Sequence, residues 1–99
     1  MISATERRLL DDLSDDWYAL WEVDQLLSRL APEMDGSARR QLVRGLLEKQ
    51  ALALTGAEEW ASLRDTPAIP TVDAIDAISS TAAWEVPGPH DRIYAVTAR

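Results

Sequence analysis

Apolar residues recur at helical spacing through the first half of the chain and predict three helices. The predicted helices cover about 4–14, 19–30 and 37–49. Ser3 and Glu6 fit a capping box, in which a hydroxyl and a carboxylate three residues apart satisfy the first backbone N–H groups. Turn-forming residues separate the helices, in the segments SDDWY and APEMDG. The residues predicted to face the core are Ile2, Leu9, Leu10, Leu13, Leu20, Val23, Leu27, Leu30, Ala38, Leu42 and Leu46.

The second half of the chain changes to a strand pattern at its two ends. Residues 51–55 alternate, and residues 92–98 are rich in β-branched and aromatic side chains, so both segments are predicted strands that pair antiparallel. Between them we expect a helix over about 72–80, capped by Thr71. The segment GAEEWASLRD is compatible with a loop or with a short amphipathic helix. One stripe of the 72–80 helix is predicted to dock on the strands through Val72, Ile75 and Ile78.

This order of elements predicts one α+β domain over 1–99, because two strands are stable only when packed against helices. Three helices followed by two strands that pair antiparallel resemble a winged helix. A plain helical bundle is the alternative fold. The stretches LLDDLSDDWYALWEVDQLL and RRQLVRGLLEKQALALT are similar to the first half of many bacterial winged-helix proteins. The tail AIPTVDAIDAISSTAAWEV…RIYAVTAR is similar to that of a group of small uncharacterised bacterial proteins with this fold.

The resemblance implies two further features of the fold and one function. The segment DWYA would supply a short strand that joins the wing sheet. The wing would be enlarged by an insertion that contains a short helix, since about 36 residues separate its two strands. Many winged-helix proteins bind DNA, and the resemblance therefore also implies a regulator that reads DNA with helix 37–49.

Composition is that of a globular protein, with 46% hydrophobic and 27% charged residues. The absence of cysteine excludes disulfides and thiolate metal sites. The opening MISATERRLLDD has charges where a signal peptide needs apolar residues, and no apolar run reaches the roughly 20 residues that span a bilayer. We therefore expect a soluble cytoplasmic protein without a membrane partner.

Charge is distributed unevenly along the chain, whose formal net charge is −7. Residues 1–36 carry a net −6, residues 37–50 a net +3, and residues 51–99 a net −4. The third helix is thus a basic island between acidic segments, and the overall charge disfavours DNA as a partner. Its arginines are expected to pair with acids of the protein itself or with an acidic partner.

Candidate catalytic and metal-binding residues are few. His90 lies in a turn beside Asp91, without a nucleophile placed by the sequence to form a catalytic set, and is expected to be solvated. The acidic pairs at 11–12 and 15–16 lack the ligand spacing of a calcium loop, and no glycine-rich phosphate loop is present. We therefore expect a non-enzymatic protein without a cofactor or a metal.

Four tryptophans and no phenylalanine are an unusual choice of aromatic residues. Trp17, Trp21 and Trp84 are expected to pack in the core or against the wing, because each buries a large apolar area. Trp60 has few apolar neighbours in its own segment. Two interpretations of Trp60 remain open: it is an exposed interface anchor, or it folds back over the end of the third helix.

The sequence as a whole favours a protein–protein interaction or adaptor module that binds a protein partner or a second copy of the chain. A homodimer is expected, since the cyclic dimer is the commonest soluble oligomer. The alternative is a DNA-binding transcriptional regulator that uses helix 37–49. The candidate partner-binding residues are Trp60, Arg39, Arg40 and Arg44.

Overall fold

Four α-helices and a three-stranded antiparallel sheet form the part of the chain that the structure, a computed structural model, describes. That part comprises residues 3–14, 16–63, 65–88 and 91–98. The predictions made for Ile2, Asp15 and His90 concern residues outside it. Short 3-10 turns occupy Trp60–Ser62 and Thr81–Trp84. The main elements are α1 Ala4–Asp12, β1 Tyr18–Ala19, α2 Leu20–Leu30, α3 Gly36–Glu48, β2 Leu52–Ala57, α4 Thr71–Ile78 and β3 Ile93–Ala98.

The last strand of the chain, β3, lies in the centre of the sheet. It pairs antiparallel with β2 on one side and with β1 on the other, in the order β1–β3–β2. Val96 is opposite Leu54 in β2 and opposite Tyr18 in β1. The predicted α+β class and the antiparallel strand pair are therefore confirmed, and the short strand expected in DWYA is present as β1.

Local hydrogen bonds fix where the helices begin and end. The capping box of α1 is formed, since Ser3 Oγ accepts from the Glu6 N–H at 3.2 Å and the Ser3 N–H donates to Glu6 Oε1 at 3.3 Å. Helix α3 begins at Gly36 because the carboxylate of Asp35 accepts from the Ala38 N–H at 2.8 Å. It ends at Glu48, and Gln50, two residues further on, has a φ of 59° where the chain turns into β2.

One apolar core fills the space between the helices and the sheet. Helices α1, α2 and α3 each contribute leucines or valines to it, and every residue of β2 is buried. Leu10, Leu30, Ala38 and Leu42, all predicted to face the core, are only partly buried. The completely buried large side chains are Leu9, Leu13, Leu20, Leu27, Leu46, Leu52, Leu54, Leu63, Val23, Val43, Val96 and Thr55.

Helix α4 docks on the rest of the protein by a face that matches the predicted stripe only in part: Ile78 is buried as predicted, Ile75 is half-buried and Val72 is exposed. Ala74 and Ile78, four residues apart, are buried against α3 and the sheet, whereas Val72 is 79% exposed. Val72 was predicted to dock, and that prediction is wrong because about 200° of helical rotation separates it from Ala74. The predicted cap at Thr71 is also wrong: Thr71 is the first residue of α4, and no side chain caps the helix.

Replacing Ile78 and Val72 separately by alanine tests how α4 is held. Ile78→Ala should lower the free energy of unfolding by about 2–4 kcal/mol, because the side chain is 6% exposed and its removal leaves a cavity. Val72→Ala, the matched control on the opposite face, should change it by less than about 0.5 kcal/mol. Urea denaturation followed by tryptophan fluorescence measures both. Equal effects of the two substitutions would contradict a docked α4.

Candidate functional site

The three arginines of α3 lie in different environments. Arg39 is mostly buried and directed inward: its Nε donates to Asp24 Oδ1 at 2.8 Å, and its Nη1 donates to the Met34 carbonyl at 2.9 Å. The hydrogen bond with Asp24 outweighs the effect of burial and raises the pKa of Arg39 above its ordinary value. This guanidinium is engaged within the protein, where it links α3 to α2.

Arg44 and Arg40 lie on the outer side of the same helix. Arg44 Nε donates to Glu48 Oε1 at 2.9 Å, in an exposed pair one helical turn apart. The guanidinium carbon of Arg40 is 5.8 Å from the centre of the Trp84 ring, a cation–π distance. The Nε of Arg40 is buried and has no hydrogen-bond partner among the described residues. The expected pairing with the protein's own acids therefore holds for Arg39 and Arg44.

A cleft of about 370 Å³ separates the outer face of α3 from the end of α4. Helix α4 belongs to the insertion between β2 and β3, and it packs directly against α3. Arg40 and Arg44, which line the cleft, are therefore flanked by α4 along one side. The residues that line this cleft are Gly36, Ser37, Arg40, Gln41, Arg44, Ile78 and Ser79.

A second depression, which we call the aromatic groove, lies near the start of β1 and the segment after β2. Its volume is about 410 Å³, and three of the four tryptophans line it. These indoles come from segments about 40 residues apart in the sequence, and the sheet brings them together. The residues that line the groove are Asp16, Trp17, Tyr18, Trp21, Glu22, Trp60 and Leu63.

Local structure at both ends of the sheet positions these indoles. Trp17 immediately precedes β1 and packs on a small apolar cluster formed by Ala57, Leu63, Ile93 and Ala95. The 3-10 turn after β2 directs Leu63 inward, at 2% exposure, and leaves Trp60 at 47% exposure. Trp60 thus lies at the rim of the groove, with its neighbour Leu63 holding the turn against the cluster.

The four tryptophans divide between the core and the groove. Trp84 is 5% exposed and its Nε1 donates to the Ile78 carbonyl at 2.8 Å, so its predicted core position is confirmed. Trp17 and Trp21 are half-buried and line the groove. Trp60 is exposed and lines the groove with residues of β1 and α2, and no residue of α3 lines that groove. Of the two interpretations of Trp60, the structure favours an exposed aromatic side chain.

The rim of the aromatic groove is acidic. Asp16 Oδ1 accepts from the Trp17 N–H at 2.8 Å, and Glu22 Oε1 accepts from the Ala19 N–H at 3.1 Å. No lysine or arginine of the described residues forms a salt bridge with either carboxylate. Glu58 and Glu59, which precede Trp60, are exposed. This groove was not predicted from the sequence, although Trp17 and Trp21, four residues apart, were a signal for it.

Neither a metal-binding cluster nor a membrane-spanning helix is found in the part of the chain that the structure describes. Within residues 3–14, 16–63, 65–88 and 91–98, no group of three or more histidine, aspartate or glutamate side chains is placed to hold a metal ion. Across the same ranges, no helix has the length and apolar character needed to cross a bilayer.

These observations define a small α+β protein with a central C-terminal strand, a basic cleft beside α3 and an aromatic groove with an acidic rim. Comparison of the chain with protein-family models, curated proteins and solved structures gives no match.

Alanine substitutions of Arg39 and Arg44 should lower the free energy of unfolding by different amounts, because Arg39 is bonded within the protein and Arg44 is exposed. Arg39→Ala should lower the free energy of unfolding by about 1–3 kcal/mol, because it leaves the carboxylate of Asp24 without its partner. Arg44→Ala removes an exposed pair worth about 0.3–0.5 kcal/mol. Thermal and urea denaturation at one ionic strength measure the difference. Equal losses would show that Arg39 is not anchored by Asp24.

Proposed function

We propose that this protein is a non-enzymatic, winged-helix-like interaction module that binds a protein partner through the aromatic groove. The single observation that carries the proposal is the exposure of Trp60, 47%, beside Trp17 and Trp21 in one groove. Tryptophan is strongly enriched among the residues that dominate binding energy at protein interfaces. A partner that covers these rings would remove a large apolar area from water.

The winged-helix part of the proposal is supported by the order of the elements. A short strand between α1 and α2 joins the two later strands, and the last strand lies between the other two. The segment 58–92 would be the enlarged wing insertion, with α4 as its helix. Fold alone does not assign a function, so a winged-helix-like fold does not by itself imply DNA binding.

The surroundings of α3 favour a protein partner over DNA. Helix α4 packs against α3 and borders the cleft that contains Arg40 and Arg44. The position of α4 limits the space through which a DNA duplex could reach that face of α3. Arg39 is engaged with Asp24, and Arg44 with Glu48. Binding to DNA depends strongly on neutralising phosphates, and a chain of net charge −7 offers only one short basic segment for that purpose.

Selection from a random peptide library displayed on phage tests the proposed docking surface. The immobilised wild-type protein should enrich peptides that Trp60→Ala does not retain, because the substitution removes the exposed ring from the groove. Val72→Ala is the matched control, since Val72 is an exposed apolar residue that does not line the groove. It should retain the same peptides as the wild type, and both variants should keep the wild-type melting temperature to within a few degrees.

A parallel measurement addresses the alternative of DNA binding by α3. Fluorescence anisotropy with mixed-sequence duplex DNA from 50 to 200 mM salt should show no binding tighter than about 10⁻⁴ M. Micromolar, salt-sensitive binding that Arg40→Glu/Arg44→Glu abolishes would support the regulator instead.

Failure of the peptide library to enrich any Trp60-dependent peptide would contradict the interaction module.

A further inference from the structure

We infer that the aromatic groove binds a positively charged segment of the partner, with an arginine side chain stacked on its tryptophans. This inference rests on the proposed function, because it names the chemistry of the partner at the same groove. It is carried by the combination of indole rings and carboxylates that line one depression.

The rings provide the first half of the argument. A cation placed over an aromatic face is attracted by the negative face of the ring, and tryptophan gives the strongest such interaction. Arginine is suited to this environment, because its planar guanidinium stacks on a ring while its N–H groups still bind a carboxylate. The protein contains one such contact already, since the guanidinium of Arg40 lies 5.8 Å from the centre of the Trp84 ring.

The carboxylates provide the second half. Asp16 and Glu22 each use one oxygen to accept a backbone N–H, which holds the carboxylate in place at the groove. The second oxygen of each has no hydrogen bond to a described residue and is available to a ligand. Glu58 and Glu59 add negative charge beside Trp60. A cationic side chain would therefore gain both ring contacts and charge-assisted hydrogen bonds.

The same charges disfavour other occupants of the groove. A symmetric homodimer through this face would bring each acidic rim against its copy, because a two-fold interface places the same patch on both sides. Like charges brought together across an interface lower affinity. A nucleic acid would bring phosphates to the same rim. Among these occupants, a basic segment of another protein is the one whose charge complements the groove.

Anisotropy of a fluorescein-labelled hexa-arginine peptide tests this inference, with a hexacitrulline peptide as the neutral isostere. We expect salt-sensitive binding of hexa-arginine and none of hexacitrulline. The variant Asp16→Asn/Glu22→Gln should weaken binding about three- to thirtyfold, through the loss of two ion pairs. Each new amide retains an oxygen that can accept the backbone N–H, so this variant should keep the wild-type fold.

The matched control is Asp11→Asn/Asp12→Asn, which makes the same change in net charge on exposed residues of α1 outside the groove. It should bind hexa-arginine within about twofold of the wild type, whereas Trp60→Ala should weaken binding as strongly as the groove variant. Equal weakening by the two charge variants would mean general attraction to an acidic protein and would overturn the inference.

The library selection separates failure of this inference from failure of the proposed function. Enrichment of Trp60-dependent peptides that carry no excess of arginine would support the interaction module and refute the cationic partner. An excess of arginine over aspartate and glutamate at the enriched positions would support both. If no Trp60-dependent peptide is enriched and hexa-arginine does not bind at the groove, both proposals are refuted.

Discussion

The pairing of β3 with both β1 and β2 is the constraint on which the remaining structure depends. The last strand closes the sheet and ties the end of the chain to its beginning: the Ala98 N–H donates to the Leu13 carbonyl at 3.2 Å, and Thr97 Oγ1 donates to the Asp16 carbonyl at 3.0 Å. Strand β1 has only two residues, and its pairing with β3 holds it in the sheet. The hydrogen bonds of Thr97 and Ala98 join residues more than 80 positions apart, and they therefore depend on the tertiary fold.

The aromatic groove and the cleft beside α3 both follow from that arrangement. With β1 and β2 on opposite sides of β3, Trp17 and the turn after β2 converge on one apolar cluster, and this convergence forms the aromatic groove. The chain must also return from β2 to β3, and the long connection lays α4 on α3. The same insertion therefore buries Ile78 and Trp84 and borders the face of α3 that carries Arg40. The aromatic groove is acidic, whereas the cleft beside α3 is basic and is bordered by the insertion.

Local patterns predicted the helices and the two long strands well, because burial at fixed spacing and capping residues act over a few positions. Ser3, Glu6 and the apolar residues of α2 are examples. The helix boundaries shifted by one or two residues, as when the Asp35 cap started α3 at Gly36 rather than at the predicted residue 37. The docking face of α4 was predicted only in part, because Ile78 is buried as expected whereas Val72 is exposed and Ala74 is buried instead. The groove joins Trp17 to Trp60, and no local pattern shows which distant segments a sheet brings together.

The central claim is that the aromatic groove is the binding surface of this protein. The indole N–H resonances of the four tryptophans report on it directly, because three line the groove and Trp84 is buried with its Nε1 bonded to the Ile78 carbonyl. Each resonance is assigned by single Trp→Phe substitution and followed by ¹⁵N NMR while hexa-arginine is added. The account predicts saturable shifts for Trp17, Trp21 and Trp60, with Trp84 unchanged. Shifts confined to Trp84, or no shift at any indole, would contradict it.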